Sequence, residues 1–479
     1  MCLCSGVLAS AQSKITWNMG MNIAIKDFGN MHPRITVDGA GNPLVIWGKM
    51  SDASVYFSKW NGSMFTTPVK LNPTWLTVAS ASWMGPDIAS KGDTVYVVVK
   101  QTPESDTLSH IYIMSSFDGG VTFAAPVRVD FIADSVSRFP TVTVDGSGNP
   151  IVAFMKFNSK FLSSRWVVAK STDYGKTFST DVKASGYSGA KAEVCDCCPG
   201  AIISSGTTSS LLYRDNLSDI RDIWTGISTT NSTSFQSGFA IDNNKWKIYY
   251  CPSSGPDGII IGDSIYSVFM SAGSGNERTY LSTSSISNSS LKSVANLTGN
   301  VTGLSQQNFP RIASDGNAMA IVWKQTVSGN SQLPILFTND IAKGLPSMYE
   351  LVDVNDITNA DVAIHRGKVF VVWEDDNSGT IKFRSGTYPT STTSVTEDTI
   401  RHFSIYPSPV SGLLTLQFDT EIPPNSLLKI SNELGETVLS QILNDSMIAT
   451  VNIEGLVNGV YFIHIQTVNN IYIQKFIKQ

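Results

Sequence analysis

The chain has 479 residues, 42% of them hydrophobic and only 15% charged, which is too long for one ordinary domain and favours short strands with tight turns over long charged helices. A formal net charge of −5 gives no overall reason to expect nucleic acid or an anionic membrane as partner. No apolar run of about 18 residues appears after the N-terminus, so no helix is expected to cross a membrane.

In chain order, Met1 to Gln12 reads as the remnant of a signal peptide. Val7-Leu8-Ala9-Ser10-Ala11-Gln12 offers the small-x-small site that signal peptidase favours, while the charged leader that should precede it is missing. Cleavage near Ala11 would remove Cys2 and Cys4. It would leave Cys195, Cys197, Cys198 and Cys251, an even number in an exported chain where disulfides are permitted.

Residues 13–386 repeat one unit seven times. The clearest copies are His32-Pro33-Arg34-Ile35 through Trp47, Arg138-Phe139-Pro140-Thr141 through Phe154, and Phe309-Pro310-Arg311-Ile312 through Trp323. Weaker copies begin near Gly85, Cys198, Gly255 and Asn359. The starts lie roughly 51 to 59 residues apart, which suits a four-stranded propeller blade better than a helical repeat. In each copy a short apolar strand (A) meets an Asp-Gly or Gly-Asn turn and is followed by a strand (B) rich in Val, Ile and aromatics. Trp47, Trp323 and Trp373 recur on strand B, where core packing is expected rather than a sugar platform.

Two copies continue into Ser116-Phe117-Asp118-Gly119-Gly120-Val121-Thr122-Phe123 and Ser171-Thr172-Asp173-Tyr174-Gly175-Lys176-Thr177-Phe178. The pattern is Ser-x-Asp-x-Gly-x-Thr-Phe, a hairpin staple in which Ser and Asp serve turn backbone and Gly takes a positive φ. Degenerate versions lie at Ser228 to Phe235 and around Ser58 to Phe65. These Asp-boxes resemble those of the sialidase superfamily, and the resemblance implies a sialidase-like β-propeller without implying catalysis. Lys14 to Ile25 precedes the first copy like an orphan outer strand, and the seventh copy lacks one. The expectation is therefore seven blades closed by shared strands, with six, as in sialidases, as the alternative.

After a Ser/Thr-rich linker at residues 387–402 comes a different pattern at residues 403–479. Tyr406-Pro407-Ser408-Pro409 opens it, a Gly-bearing hairpin follows near Gly435, and Leu456-Val457-Asn458-Gly459-Val460-Tyr461-Phe462 leads to a basic last strand ending at Lys475-Phe476-Ile477-Lys478-Gln479. This order resembles the type A sorting domain of type IX secretion cargo. The resemblance implies a small Ig-like β-sandwich, passage through the periplasm, the type IX machinery as partner, and a destination outside the cell or on its surface. An ordinary Ig-like adhesion sandwich is the alternative. The whole chain is thus expected to be all-β.

Strand direction puts the D–A and B–C loops of every blade on one face and the Asp-boxes on the other. Eight residues past the Gly of each A–B turn stand Lys49, Lys100, Lys156, Arg214, Met270, Lys324 and, with a one-residue gap, Asp375. Five of the seven are basic. A partial ring of cations could focus its field on an anionic ligand, with His32 nearby; solvated strand ends are the plain alternative.

On the same face, Cys195, Cys197 and Cys198 in the D–A loop of blade 4 should neighbour Cys251 in that of blade 5. Two disulfides, Cys197–Cys198 and Cys195–Cys251, are expected. The alternative is a soft metal, zinc or copper(I), held by four thiolates or by three with His32 or His110. The sialidase set of three arginines, a Tyr–Glu pair and an Asp acid cannot be placed, so no catalytic residue is assigned. Arg34 and Arg311 sit in strand A, where pairing with a neighbouring blade is the expected role. The sequence therefore points first to an exported propeller that binds a ligand such as an anionic glycan. A sialidase-type glycoside hydrolase and a cysteine-based metal protein are the alternatives.

Overall fold

A computed structural model describes residues 14–390 and 403–479, apart from residues 25, 133–134, 190–191, 355, 419–425, 433–435, 445–446 and 468–470. The signal-peptide segment, Cys2, Cys4 and most of the linker lie outside the described residues. The chain forms two compact units, Met1–Thr390 and Ser391–Gln479.

Seven antiparallel sheets make up the first unit among the described residues. Their innermost strands (A) are Asn30–Val37, Asp87–Lys91, Ser135–Val144, Ala201–Ser205, Asp257–Ile261, Leu304–Asp315 and Ile357–His365. Each packs on the next, and the last packs on the first. That closed cycle makes a seven-bladed propeller and excludes the six-bladed alternative. The seventh blade is completed from the other end of the chain, because Thr16–Trp17 and Met21–Asn22 both pair with Thr380–Thr387.

The sequence pattern explains the blades. Strands B (Pro43–Lys49, Thr94–Lys100, Pro150–Asn158, Thr208–Asn216, Ser264–Ser271, Ala318–Val327 and Lys368–Asp375) lie between two neighbours and are buried on both faces, so they are near-continuous runs of Val, Ile and aromatics. Trp47, Trp323 and Trp373 are all core residues. Each still finds an acceptor for its indole N–H: Asn30 Oδ1, Gln325 Oε1 and Asp353 Oδ2, all at 3.0 Å.

Asp-boxes close two of the outer hairpins. Asp118 Oδ1 accepts from the backbone N–H of Thr122 at 2.9 Å and Oδ2 from its hydroxyl at 2.6 Å, while Gly120 N donates to Ser116 Oγ at 2.9 Å. Asp173, Thr177, Gly175 and Ser171 repeat the pattern. These bonds to the charged form hold both carboxyls down at about 2. Gly120 has φ +81°, and a Cβ there would stand 2.5 Å from the Phe57 ring, so the position requires glycine. Phe123 packs edge-on against Phe57 at 5.1 Å, and Phe178 is buried.

The second unit is a two-sheet sandwich. Phe403–Tyr406, Leu413–Phe418 and Ile448–Asn452 form one sheet; Thr437–Leu443, Ser426–Ser431, Gly459–Gln466 and Ile471–Lys478 form the other. Alternating inward residues, among them Leu414, Leu416, Leu428, Ile430, Ile463 and Phe476, share one core. The last strand is tied to the opening turn, since Val410 N donates to Ile477 O and Gln479 N to Val410 O, both at 2.9 Å.

Candidate functional site

Where strand A begins, six of seven blades carry proline: Pro33, Pro86, Pro140, Pro199, Pro256 and Pro310, with Ala360 in the seventh. Proline has no N–H to give the ladder, and the A–B register slips here in blades 1, 3, 6 and 7. The residues before three of these prolines, His32, Phe139 and Phe309, have φ of 54°, 51° and 51°. Non-glycine residues held there cost about 1–3 kcal/mol each. Together the seven strand starts line a small cavity of about 60 Å³, open to solvent, on the D–A/B–C face.

The position after each proline, or after Ala360, holds Arg34, Asp87, Thr141, Gly200, Asp257, Arg311 and Asp361; of these Arg34, Asp87, Thr141, Gly200 and Arg311 line the cavity. The carboxylates stitch blades together. Asp87 accepts from Val142 N and Thr141 Oγ1, Asp257 from Ile312 N, and Asp361 from Ile35 N, at 2.9–3.0 Å. Arg311 reaches Asp361 at 3.0 Å and Asp257 at 3.4 Å, so it does pair across blades. Arg34 instead donates to Pro33 O at 2.8 Å and meets His32 Nε2 at 2.6 Å. Burial and the charge of Arg311 hold Arg34 down at about 10, and burial pushes the His32 ring down. Behind the wall, Glu374 accepts from His32 N and Asn359 Nδ2 at 3.1 Å, and burial pushes its carboxyl up to about 7.

Large exposed side chains gather on the loops of this face. Trp83 lines the cavity and is 37% exposed; Trp75, Phe131, Tyr249 and Tyr250 stand on D–A loops, and Leu108 on a B–C loop.

The four cysteines are also here, as free thiols. Cys195 Sγ lies 3.3 Å from Cys198 Sγ and 3.4 Å from Cys197 Sγ; Cys197 and Cys198 are 4.0 Å apart. Cys251 comes from the next blade to within 4.8 Å of the Cys197 sulfur and the Asp196 carboxylate. Arg221 donates to Cys195 Sγ at 3.3 Å, and its Nε–H has no acceptor among the described residues. Hydrogen bonds from Cys197 and Cys198, with the charges of Arg214 and Arg221, push the Cys195 thiol down, whereas burial pushes Cys198 up to about 12. No two of these sulfurs stand at the roughly 2.05 Å of the disulfides that the sequence led us to expect; Cys197 and Cys198 are 4.0 Å apart.

In sequence, residues 404–479 match the secretion system C-terminal sorting domain family. The tail is a secretion-system sorting domain. No curated protein matches the chain. Among solved structures the fold is similar to that of an ulvan lyase, of a new family of polysaccharide lyase, bound to a GlcA(1-4)Rha3S unit, with TM-score 0.51, 9% identity and coverage of 76% of this chain and 94% of that one. A Hadza microbial sialidase aligns with TM-score 0.43 and 11% identity over 77% and 68% of the two chains. The alpha-L-arabinofuranosidase of Fusarium graminearum aligns with TM-score 0.45 and 12% identity over 67% and 98%.

The sorting domain directs the protein to the type IX machinery and so to the cell surface or the extracellular space. No helix among the described residues is long and apolar enough to cross a membrane. In the propeller, most of the basic strand ends are engaged internally. Lys49 pairs with Asp27 at 2.7 Å and Lys156 with Asp181 at 2.9 Å. Lys100 is buried, donates to Ser109 O, and is held down at about 8 by burial. Arg214 is buried and donates to Arg221 O and Met270 O at 2.8 and 2.7 Å. Lys324 stands half-buried opposite Asn308. His32 lies in the cavity and His110 pairs with Asp130 at 3.0 Å, so neither joins the cysteines. The groups that sequence reading missed are Asp196, Arg221, Trp83 and Glu374. A signal for the cavity was available, since Pro-Arg and Pro-Asp recur at strand starts.

Proposed function

We propose that the protein is an exported glycan-binding propeller whose ligand sits over the central cavity of the D–A/B–C face. The observation that carries this reading is the pairing of exposed aromatics at the rim with buried arginine and aspartate groups at the base. Aromatic faces stack on sugar rings, and fixed donors and acceptors below them read hydroxyl patterns. His32, Phe139 and Phe309, held in a costly backbone region at the same mouth, add support, because such positions cluster at ligand sites. The shared fold with a polysaccharide lyase is compatible with this role and does not by itself argue for it.

For an acidic glycan the group best situated to meet a carboxylate is Arg34, since Arg311 is already matched by Asp257 and Asp361. Lys49, Lys100 and Lys156 are not needed. Screening the purified chain on arrays of neutral and uronic-acid glycans, followed by titration of the best binder, tests the proposal. Trp83→Ala is expected to weaken that ligand about tenfold, the equivalent of about 1.4 kcal/mol. Full affinity in Trp83→Ala and in Arg34→Gln would overturn it.

One observation favours an enzymatic second reading. Glu374 has a carboxyl raised by burial to about 7, the range of a general acid, and is joined to the cavity through His32 and Asn359. Turnover of a fluorogenic sialoside or arabinofuranoside by the wild type, abolished in Glu374→Gln, would establish it; no turnover with tight binding leaves the module reading.

A further inference from the structure

We propose that Cys195, Cys197, Cys198 and Cys251 together hold one zinc ion that clamps the D–A loop of blade 4 to that of blade 5. Three sulfurs in a triangle of 3.3, 3.4 and 4.0 Å match the spacing of a tetrahedral thiolate site. With Zn–S near 2.3 Å, sulfurs on a tetrahedron stand about 3.8 Å apart. Cys251 of blade 5 lies within 4.8 Å of Cys197 but not of Cys195 and Cys198 both, so its side chain must move to supply the fourth sulfur.

Charge decides between an ion and disulfides. Disulfides are neutral and would leave the Arg221 guanidinium, which points at the sulfurs, without an anion there. Arg221 points an N–H at Cys195 Sγ from 3.3 Å and has an Nε–H with no acceptor among the described residues. Four thiolates around one Zn²⁺ carry a net charge of −2, which the adjacent Arg221 offsets in part. Donors to metal-bound sulfur fix its orientation and tune it, which gives Arg221 its role. His32 and His110 are engaged elsewhere, and the thiolates are softer ligands than the exposed Asp196 carboxylate near Cys197 and Cys251, which favours an all-sulfur, closed set. A closed set makes the ion structural rather than catalytic.

The ion would fix Pro199, next to Cys198, against Gly255, where a Cβ would meet Pro199 O at 2.2 Å. Both residues line the central cavity. Binding the metal releases up to four thiol protons, with no change of oxidation state.

The test uses the full chain with Cys2→Ser and Cys4→Ser, purified without reductant. Elemental analysis is expected to find about one zinc per chain. Denaturation with chelator should then expose four alkylatable thiols. Cobalt(II) titration of the zinc-free chain should give the thiolate charge-transfer band and visible transitions of a tetrahedral S₄ site, lost in Cys195→Ser and shifted in Cys251→Ser. Arg221→Gln should keep the spectrum and weaken cobalt about tenfold. A mass four hydrogens short of the reduced chain, with no metal and no alkylatable thiol, would overturn the proposal in favour of two disulfides. Unchanged cobalt binding in Cys251→Ser, or copper(I) bound in preference with no cobalt uptake, would overturn the four-thiolate set.

Discussion

The two faces of the propeller are built from the same repeat and are put to different uses. On the Asp-box face, side chains are consumed by their own turns: Asp118 and Asp173 serve their hairpins, while Asp38 and Asp145 accept from Asn42 and Asn149 in the A–B turns and pair with Lys59 and Lys170 at 2.9 and 2.8 Å. On the other face, exposed aromatics, a cavity and four thiols remain available. A repeat fixes one end of each blade with local hydrogen bonds and leaves the other end, with longer loops, free to diverge.

The largest expected effect comes from breaking the stitching under the cavity. Arg311→Ala strands Asp257 and Asp361 as buried uncompensated carboxylates and should cost about 3–5 kcal/mol in denaturant unfolding; a loss below about 1 kcal/mol would show that the ring of charges does not hold the blades. Next is Gly120→Ala on the Asp-box face, which forces a side chain to φ +81° against Phe57 and should cost about 1–3 kcal/mol without changing ligand binding.

A pH effect should separate the faces. Glu374 has a folded value of about 7, above its ordinary 4.5, so the stability it contributes is full below 4.5 and is lost as pH rises through 7. Asp118 and Asp173 are depressed to about 2, so theirs is present above about 4 and is lost on acidification toward 2. Unfolding midpoints of Glu374→Gln should therefore flatten the slope between pH 4.5 and 7 and leave the acid limb unchanged. Smallest is Lys49→Met, which removes one half-exposed ion pair with Asp27 and should change stability by less than about 1 kcal/mol.

Much of this architecture was legible because it is local and periodic. Proline in six of seven blades and Asp-Gly turns in blades 1, 3 and 6 marked the inner strand pairs, and the orphan strand at Thr16–Trp17 and Met21–Asn22 foretold how the ring closes. The cysteine corner was legible from topology alone, since D–A loops of successive blades must be neighbours. What it holds was not, because Arg221 enters at the start of strand C and no spacing announces it. The internal partners of the basic strand ends were hidden for a similar reason. Equivalent strand ends gave equivalent residues, but their partners, Asp27 for Lys49 and Asp181 for Lys156, come from irregular loops, and Lys100 is buried beneath its own loop at Ser109. Periodicity fixes where a side chain starts and says little about what meets it.

The measurement that bears most directly on the division between faces is ligand titration of two matched variants, Trp83→Ala at the cavity mouth and Tyr174→Ala, an exposed aromatic on the Asp-box face. The account predicts about tenfold weaker glycan binding in the first and none of that loss in the second. Loss in Tyr174→Ala with full affinity in Trp83→Ala would contradict it.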